Sequence, residues 1–205
     1  MTETRVVALC GSRRGGSHTR AGLQYALAGA EGTGAAGELI DLRELDLPPL
    51  KPDDPEPADA EALTRTVRAA DAVLLGTPMY HGSYSGVLKN ALDYCGFDEF
   101  DGKTVGLLAV AGGSFPVTAL DHLRSVCRAL DAWVLPHQAA IPQASGAFID
   151  AADADAAPPR GADAVLADED LRDRVETLGV RAVRYADIES EPATFESEQN
   201  VGADG

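Results

Sequence analysis

Five short apolar runs, alternating with segments of helical spacing, restrict this chain to few folds. The runs are residues 5–10 (RVVALC), 38–42 (ELIDL), 72–76 (AVLLG), 104–111 (TVGLLAVA) and 132–135 (AWVL). Most are apolar at consecutive positions, as expected of strands covered on both faces in a parallel sheet. Helical spacing falls at 17–30, 58–70, 85–94, 118–130 and about 168–186, with apolar side chains at three- and four-residue steps. Right-handed crossovers between such units predict an α/β fold, a doubly wound three-layer sandwich around a five-stranded parallel sheet.

Three segments stand outside this pattern. Residues 47–57 (LPPLKPDDPEP) carry five prolines, which forbid regular structure and mark a surface loop. Residues 143–165, rich in Ala, Asp and Pro toward their middle, predict an irregular excursion before the last helix. Residues 187–205 hold six acids and no base and read as a flexible acidic tail. The expected organisation is one domain, 1–186, followed by the tail.

Charge removes several functions. The chain has 33 acids against 17 bases, a formal charge of −16, so phosphate backbones and anionic membrane surfaces would repel it. No apolar run approaches the roughly 18 residues of a membrane span, and the N-terminus shows no export pattern. The expected partner is a small molecule, with no nucleic acid and no membrane, and the expected location is cytoplasmic. The 20 Asp and 13 Glu stand beside only three Lys, a balance that resembles the proteins of salt-in halophiles. The alternative is an ordinary acidic surface. Cys10, Cys95 and Cys127 are scattered, form no CxxC and read as buried thiols.

In an open α/β sheet the ligand sits beyond the carboxyl ends of the strands. The loop after the first run is Gly11-Ser12-Arg13-Arg14-Gly15-Gly16-Ser17-His18-Thr19. It opens a helix, where free backbone N–H groups and the dipole favour an anion. Ser12, Ser17 and Thr19 offer hydroxyls, and Arg14 offers a guanidinium suited to phosphate. The P-loop lysine is missing, so a monophosphate suits this loop better than a nucleoside triphosphate. Two arginines at a helix N-terminus also make sense if a dianion sits there. A literal GxGxxG at residues 32–37 follows a helix and precedes a strand, the reverse of the dinucleotide context, and reads as a turn.

The loop after the third run, Gly76-Thr77-Pro78-Met79-Tyr80-His81-Gly82-Ser83-Tyr84-Ser85-Gly86, carries flat amphipathic side chains suited to the edge of a planar ring. His81 could be a base, but a loop residue lending its backbone is the better reading. Asp93 reads as structural rather than catalytic, and Ser85 as an N-cap. After the fourth run, Gly112-Gly113-Ser114 would let backbone N–H groups approach a heterocycle's carbonyl oxygens. No triad, metal cluster or carboxylate pair is present, so no catalytic residue is assigned.

Together, GSxRxxSxx, TPxYxGSxSGxLKNALDY and AGGS resemble the NADPH-dependent FMN reductase family of flavodoxin-like proteins, over residues 4 to 136. The resemblance implies FMN as cofactor, with its phosphate at Ser12, Arg14, Ser17 and Thr19. It places Pro78, Met79, Tyr80 and His81 along the isoalloxazine and ribityl chain, and Gly112, Gly113 and Ser114 at the pyrimidine end. Here the chain departs from the family's usual Pro-Glu-Tyr-Asn, with Met79 for glutamate and His81 for asparagine; Thr19 also stands where asparagine is usual. The activity implied is a ping-pong transfer from NADPH or NADH through FMN to a flavin, quinone, azo compound or metal oxyanion. A homodimer or homotetramer is also implied, with the helix beginning at Ser85 as a candidate surface. The alternative is an FMN-binding electron-transfer protein of flavodoxin type serving a protein partner. Against it, the loop lacks the TxTGxT form, and the lone Trp133 lies away from any ring-stacking position.

The acids avoid the loop from Gly11 to Thr19, whose only charges are Arg13 and Arg14. The acidity is therefore expected to be a coat with one positive opening.

Overall fold

The structure is a computed structural model that describes residues 3–53 and 57–187. Its strands are β1 (Arg5–Cys10), β2 (Ala36–Asp41), β3 (Ala72–Pro78), β4 (Thr104–Val110), β5 (Trp133–Val134), β6 (Ala139–Ile141), β7 (Phe148–Asp150) and β8 (Ala164–Leu166). Its helices are α1 (His18–Glu31), α2 (Ala58–Arg68), α3 (Gly86–Asp93), α4 (Phe97–Phe100), α5 (Val117–Ala129), α6 (Ala144–Ala147) and α7 (Glu169–Arg184).

The main sheet is parallel throughout, in the order β2-β1-β3-β4-β5. This is the doubly wound α/β order expected from the runs. Alternation along each strand divides the core. Val6, Ala8 and Cys10 of β1 enter one cluster with α1 and α7, while Val7 and Leu9 enter the other with α2, α3 and α5. Ala72 and Leu74 of β3 follow the first set, and Val73 and Leu75 the second. The runs are continuous in apolar residues because both faces are covered.

The fifth strand position differs from expectation. β5 pairs with β4 only at Thr104↔Trp133 and Val105↔Val134, and pairing resumes as β6 at Leu108↔Ala139. Residues 135–138 therefore lie opposite only 106–107, and Pro136 in this stretch has no N–H to give the ladder. The strand expected at 132–135 is present as β5, and a second segment that was not expected, β6, extends the same edge.

The 143–165 stretch is also more ordered than its composition suggests. It contains α6 and the antiparallel pair β7–β8, with irregular chain kept to the connection between those strands. Phe148, Ala164 and Leu166 close over the α1 side of the core, and Tyr25 Oη accepts from the Leu166 amide at 3.2 Å. Periodicity failed here because three-residue strands are too short to show a period. The short helix α4 went unseen for the same reason; it buries Phe100 in the opposite core. Within the GxGxxG stretch, Gly32, Thr33 and Gly34 form the turn and Gly37 already belongs to β2. The tail from residue 188 onward lies outside the described residues. All three cysteines are buried thiols, and burial pushes Cys10 up to about 11 and Cys127 up to about 12.

Helices α1 and α7 meet backbone to backbone. A Cβ placed on Gly179 would lie 1.7 Å from the Ala26 carbonyl oxygen, and one on Gly29 would lie 2.2 Å from that of Glu176. No side chain fits either position, so the two glycines set the distance between the helices. We expect Gly179→Ala to lower stability by about 1–3 kcal/mol or more by overpacking, read from the midpoint of urea unfolding. Gly86→Ala, with open space around it at the start of α3, should leave the midpoint within a few tenths of a kcal/mol or raise it slightly.

Candidate functional site

The three unusual loops meet at the carboxyl ends of β1, β3 and β4 because parallel strands present those ends on one edge. The chain between β1 and α1 is fixed first. Gly11 donates its amide to the Gly76 carbonyl at 2.8 Å, and its own carbonyl accepts from Ser85 Oγ at 2.6 Å. Ser85 Oγ also caps α3 by accepting from the Leu88 amide at 3.2 Å, while the Ser85 amide donates to Thr77 Oγ1 at 2.9 Å. A Cβ on Gly11 would lie 2.7 Å from Leu88 Cβ and 2.9 Å from Ser85 Oγ, so only glycine allows this approach. Ser85 is thus more than the N-cap expected of it.

At the start of α1, Ser17 accepts from the Arg20 amide at 3.2 Å. The amides of the first turn ahead of Arg20 have no partner inside the helix and face the loop. Ser12, Ser17 and Thr19 are buried, whereas Arg14 is exposed at the rim. Gly15 and Gly16 have open space where a side chain would stand, and Gly16 has φ +62.

After β3, the Tyr80 and Ser83 amides and carbonyls pair reciprocally at 2.9 and 3.0 Å around His81 and Gly82. Both central residues have positive φ, 50 for His81 and 80 for Gly82, as a type I′ turn requires. His81 thus takes the first central position of the turn, with its backbone in the left-handed region. The turn is braced by α5: Ser83 Oγ lies 2.9 Å from His122 Nδ1, and Thr118 Oγ1 donates to Met79 Sδ at 3.6 Å. Farther along, Asn90 Nδ2 donates to the Leu47 and Pro48 carbonyls at 3.0 and 3.1 Å, and Tyr94 Oη donates to Pro48 O at 2.8 Å. These two residues of the KNALDY stretch tie the proline-rich loop to α3. Asp93 pairs with Lys89 on the helix surface, in keeping with a structural role.

After β4, the loop is held from the far edge of the sheet. Ala111 N donates to Ile141 O, Ala144 N to Ala111 O and Gln143 N to Gly113 O, each at 2.9 Å. Side chains added at Gly112 or Gly113 would meet nothing within 4 Å, so that backbone faces open space.

Between the loops lies a cleft of about 230 Å³. Of the residues expected from the sequence, it brings together Ser12, Arg14, Ser17, Thr19, Pro78, Met79, Tyr80 and Gly112. His81, Gly113 and Ser114 do not line it. Val110, Ala111, Ala144, Ser145 and His18 do, and the sequence reading passed over them. Ala144 and Ser145 reach the cleft only through the pairing of β6 with β4, for which no local signal exists. His18 stood in plain sight between Ser17 and Thr19. Its ring stacks on Phe148, with centroids 4.6 Å apart and planes within 6°. Burial, with Arg14 adding to it, holds its imidazole below the usual histidine value against the opposing pull of Asp163. The wall is otherwise apolar at Pro78, Met79, Val110, Ala111 and Ala144, with polar groups gathered at the α1 end. That arrangement suits a flat ring carrying an anionic group at one end. Among the described residues, no group of three or more His, Cys, Asp or Glu side chains could hold a metal ion.

Comparison with known proteins agrees with this geometry. Residues 4–146 match the sequence model of a family described as NADPH-dependent FMN reductase. An FMN-dependent NADPH-azoreductase of Staphylococcus aureus (strain USA300) is 38% identical over 138 residues, covering 64% of this chain and 73% of that protein. The FMN-dependent NADPH-azoreductase of Staphylococcus haemolyticus (strain JCSC1435) matches to the same extent. Among solved structures, the apo form of an NADH:FMN oxidoreductase (EMOB) superposes with a TM-score of 0.72 at 25% identity, covering 93% of each chain. The NAD(P)H:(acceptor) oxidoreductase FerB from Paracoccus denitrificans has the same fold, with a TM-score of 0.70 at 22% identity over 90% of this chain and 97% of its own.

Removing the Ser85 hydroxyl would uncap α3 and leave the buried Gly11 carbonyl without its donor. We expect Ser85→Ala to cost about 1–3 kcal/mol of folding stability, measured as a shift of the denaturation midpoint. A shift below a few tenths of a kcal/mol would show that the first loop is held by other means.

Proposed function

The chain belongs to the NADPH-dependent FMN reductase family and is an NAD(P)H-dependent FMN oxidoreductase, and from that premise we propose that the cleft at the carboxyl ends of β1, β3 and β4 is its flavin site. The observation that carries this reading is the shape and chemistry of the cleft, apolar along its length and polar at the N-terminus of α1. The chemistry of the residues present suits the group: open glycine backbone could meet ring carbonyls, and buried hydroxyls with an arginine could meet a phosphate.

In this reading Ser12, Ser17 and Thr19, with the first amides of α1, bind the phosphate, and Arg14 closes over it. Pro78, Met79, Tyr80 and His81 form the edge along the ring and ribityl chain, His81 through its turn backbone. Gly112 in the cleft wall would offer its backbone N–H toward the pyrimidine carbonyls and favour negative charge there, and Gly113 and Ser114, which do not line the cleft, would join it where the ring extends past the wall. Held by these residues, FMN would supply hydride acceptance from reduced nicotinamide and electron delivery to an acceptor, and we propose a ping-pong order for the two substrates. The protein's part is to hold the ring and leave one face open; Tyr80, 56% exposed, flanks that opening.

The acceptor is proposed to be a small molecule: a flavin, quinone, azo compound or metal oxyanion. The azoreductase relatives favour the azo class. A homodimer or homotetramer is proposed, with α3 as a candidate surface, and one folded domain over residues 1–186. The lysine-poor acidic surface supports a salt-rich source, and a cytoplasmic location is proposed on the same composition. Among the described residues no helix is long and apolar enough to cross a membrane.

The protein should carry a yellow chromophore that bleaches anaerobically with NADPH or NADH and regains its colour when a quinone or azo dye is added. Absence of bleaching with both nicotinamides would overturn the reductase reading and favour the flavodoxin-type alternative. Separately, Arg14→Ala should weaken FMN binding by about 1.5–3 kcal/mol, roughly tenfold to more than a hundredfold, as measured by quenching of flavin fluorescence. Riboflavin, which lacks the phosphate, should be affected far less.

A further inference from the structure

His18 occupies an unusual position. It is the first residue of α1, it lines the cleft beside Ser17 and Thr19, and its ring lies flat on Phe148. Phe148 belongs to β7, beyond the stretch matched to the family. The stack thus fastens the chain at the head of α1 to a part of the molecule that family membership does not describe. A ring held flat has its two nitrogens fixed in direction, so whatever polar group enters the α1 end of the cleft meets an oriented donor or acceptor.

We propose that His18 is a proton-linked ligand of the cofactor phosphate, its imidazole taking up one proton when the phosphate enters and releasing it when the phosphate leaves. This rests on the flavin reading of the cleft. The charged groups that act on the ring are Arg14 from the first loop and Asp163 from the connection leading to β8. Phe148 carries no charge, Arg20 of the first turn of α1 is turned to Asp41, and the N-terminus of α1 itself disfavours the imidazolium. With the cleft free, burial and the Arg14 guanidinium both disfavour the imidazolium, and Asp163 only partly offsets them. A phosphate dianion reverses that balance: it neutralises Arg14 and adds negative charge directly against the ring. The imidazolium also gains from the aromatic face of Phe148 beneath it. The proton balance is closed, with one proton taken from solvent on binding and returned on release. Histidine is the side chain for which such a shift falls within the physiological range.

By linkage, a ring whose affinity for protons is raised by phosphate must raise the affinity for phosphate as pH falls. A one-unit rise in the imidazole pKa on binding corresponds to about tenfold tighter binding at acid than at alkaline pH. Phosphate ionisation acts in the opposite direction, so the variant ratio is the quantity to read. Dilution of FMN-loaded protein at pH 8 and pH 6, followed by the return of free-flavin fluorescence, gives the dissociation constants. His18→Phe keeps the stack without the proton, and His18→Gln provides a second uncharged side chain.

The expected result is that wild type binds FMN about three- to sixfold better, relative to either variant, at pH 6 than at pH 8, since this interval spans only part of the titration, and that this advantage vanishes with riboflavin. Equal pH dependence in wild type and both variants would overturn the proposal while leaving the flavin site standing. An equal effect with riboflavin would overturn it too, since the proton would then answer to the ring system. No FMN binding at either pH would overturn the flavin reading itself, and this inference with it.

Discussion

The hydrogen bond from Ser85 Oγ to the Gly11 carbonyl joins two loops that lie 74 residues apart in sequence. One hydroxyl donates to the loop after β1 and accepts from the first turn of α3, while Thr77 Oγ1 holds the Ser85 amide. The cleft exists because these bonds bring the head of α1 and the loop after β3 together at a set distance. Gly11 is indispensable to the arrangement, since any Cβ there would strike Leu88 and Ser85. Both partners are buried, which makes the bond costly to break.

The direction of α1 depends on the other side of the molecule. Gly29 and Gly179 let α1 and α7 approach until their backbones touch, and β7–β8 closes over the α1 face through Phe148 and Leu166. The chain beyond the family match is therefore part of the support for the cleft. Phe148 beneath His18 comes from this region, whereas Ala144 and Ser145 in the wall lie at the end of the matched stretch.

Charge is distributed to the same end. The chain carries a formal charge of −16, yet the loop at the head of α1 holds only Arg13 and Arg14. Arg14, the arginine singled out in the sequence, lies at the rim, and Arg13 does not line the cleft. A helix N-terminus and a guanidinium make the local potential positive within an acidic surface, because close charge–dipole interactions are less screened than the distant field.

The sequence alone determined the layering, the sheet membership and the loops to examine. Long consecutive apolar runs can be satisfied only by strands covered on both faces, and glycine, hydroxyl and arginine next to a helix start carry their chemistry locally. It also identified Ser85 as a cap, because capping preferences act over three or four positions. Tertiary structure decided the rest. The extension of the β5 edge by β6, the order within 143–165 and the entry of Ala144 and Ser145 into the cleft follow from pairing with β4 and packing on α1. So do the stack of His18 on Phe148, the tether from Asn90 and Tyr94 to Pro48, and the meeting of Gly29 with α7. Each is a contact between residues far apart in the chain, and neither periodicity nor propensity, which are local properties, can encode which distant surfaces will touch.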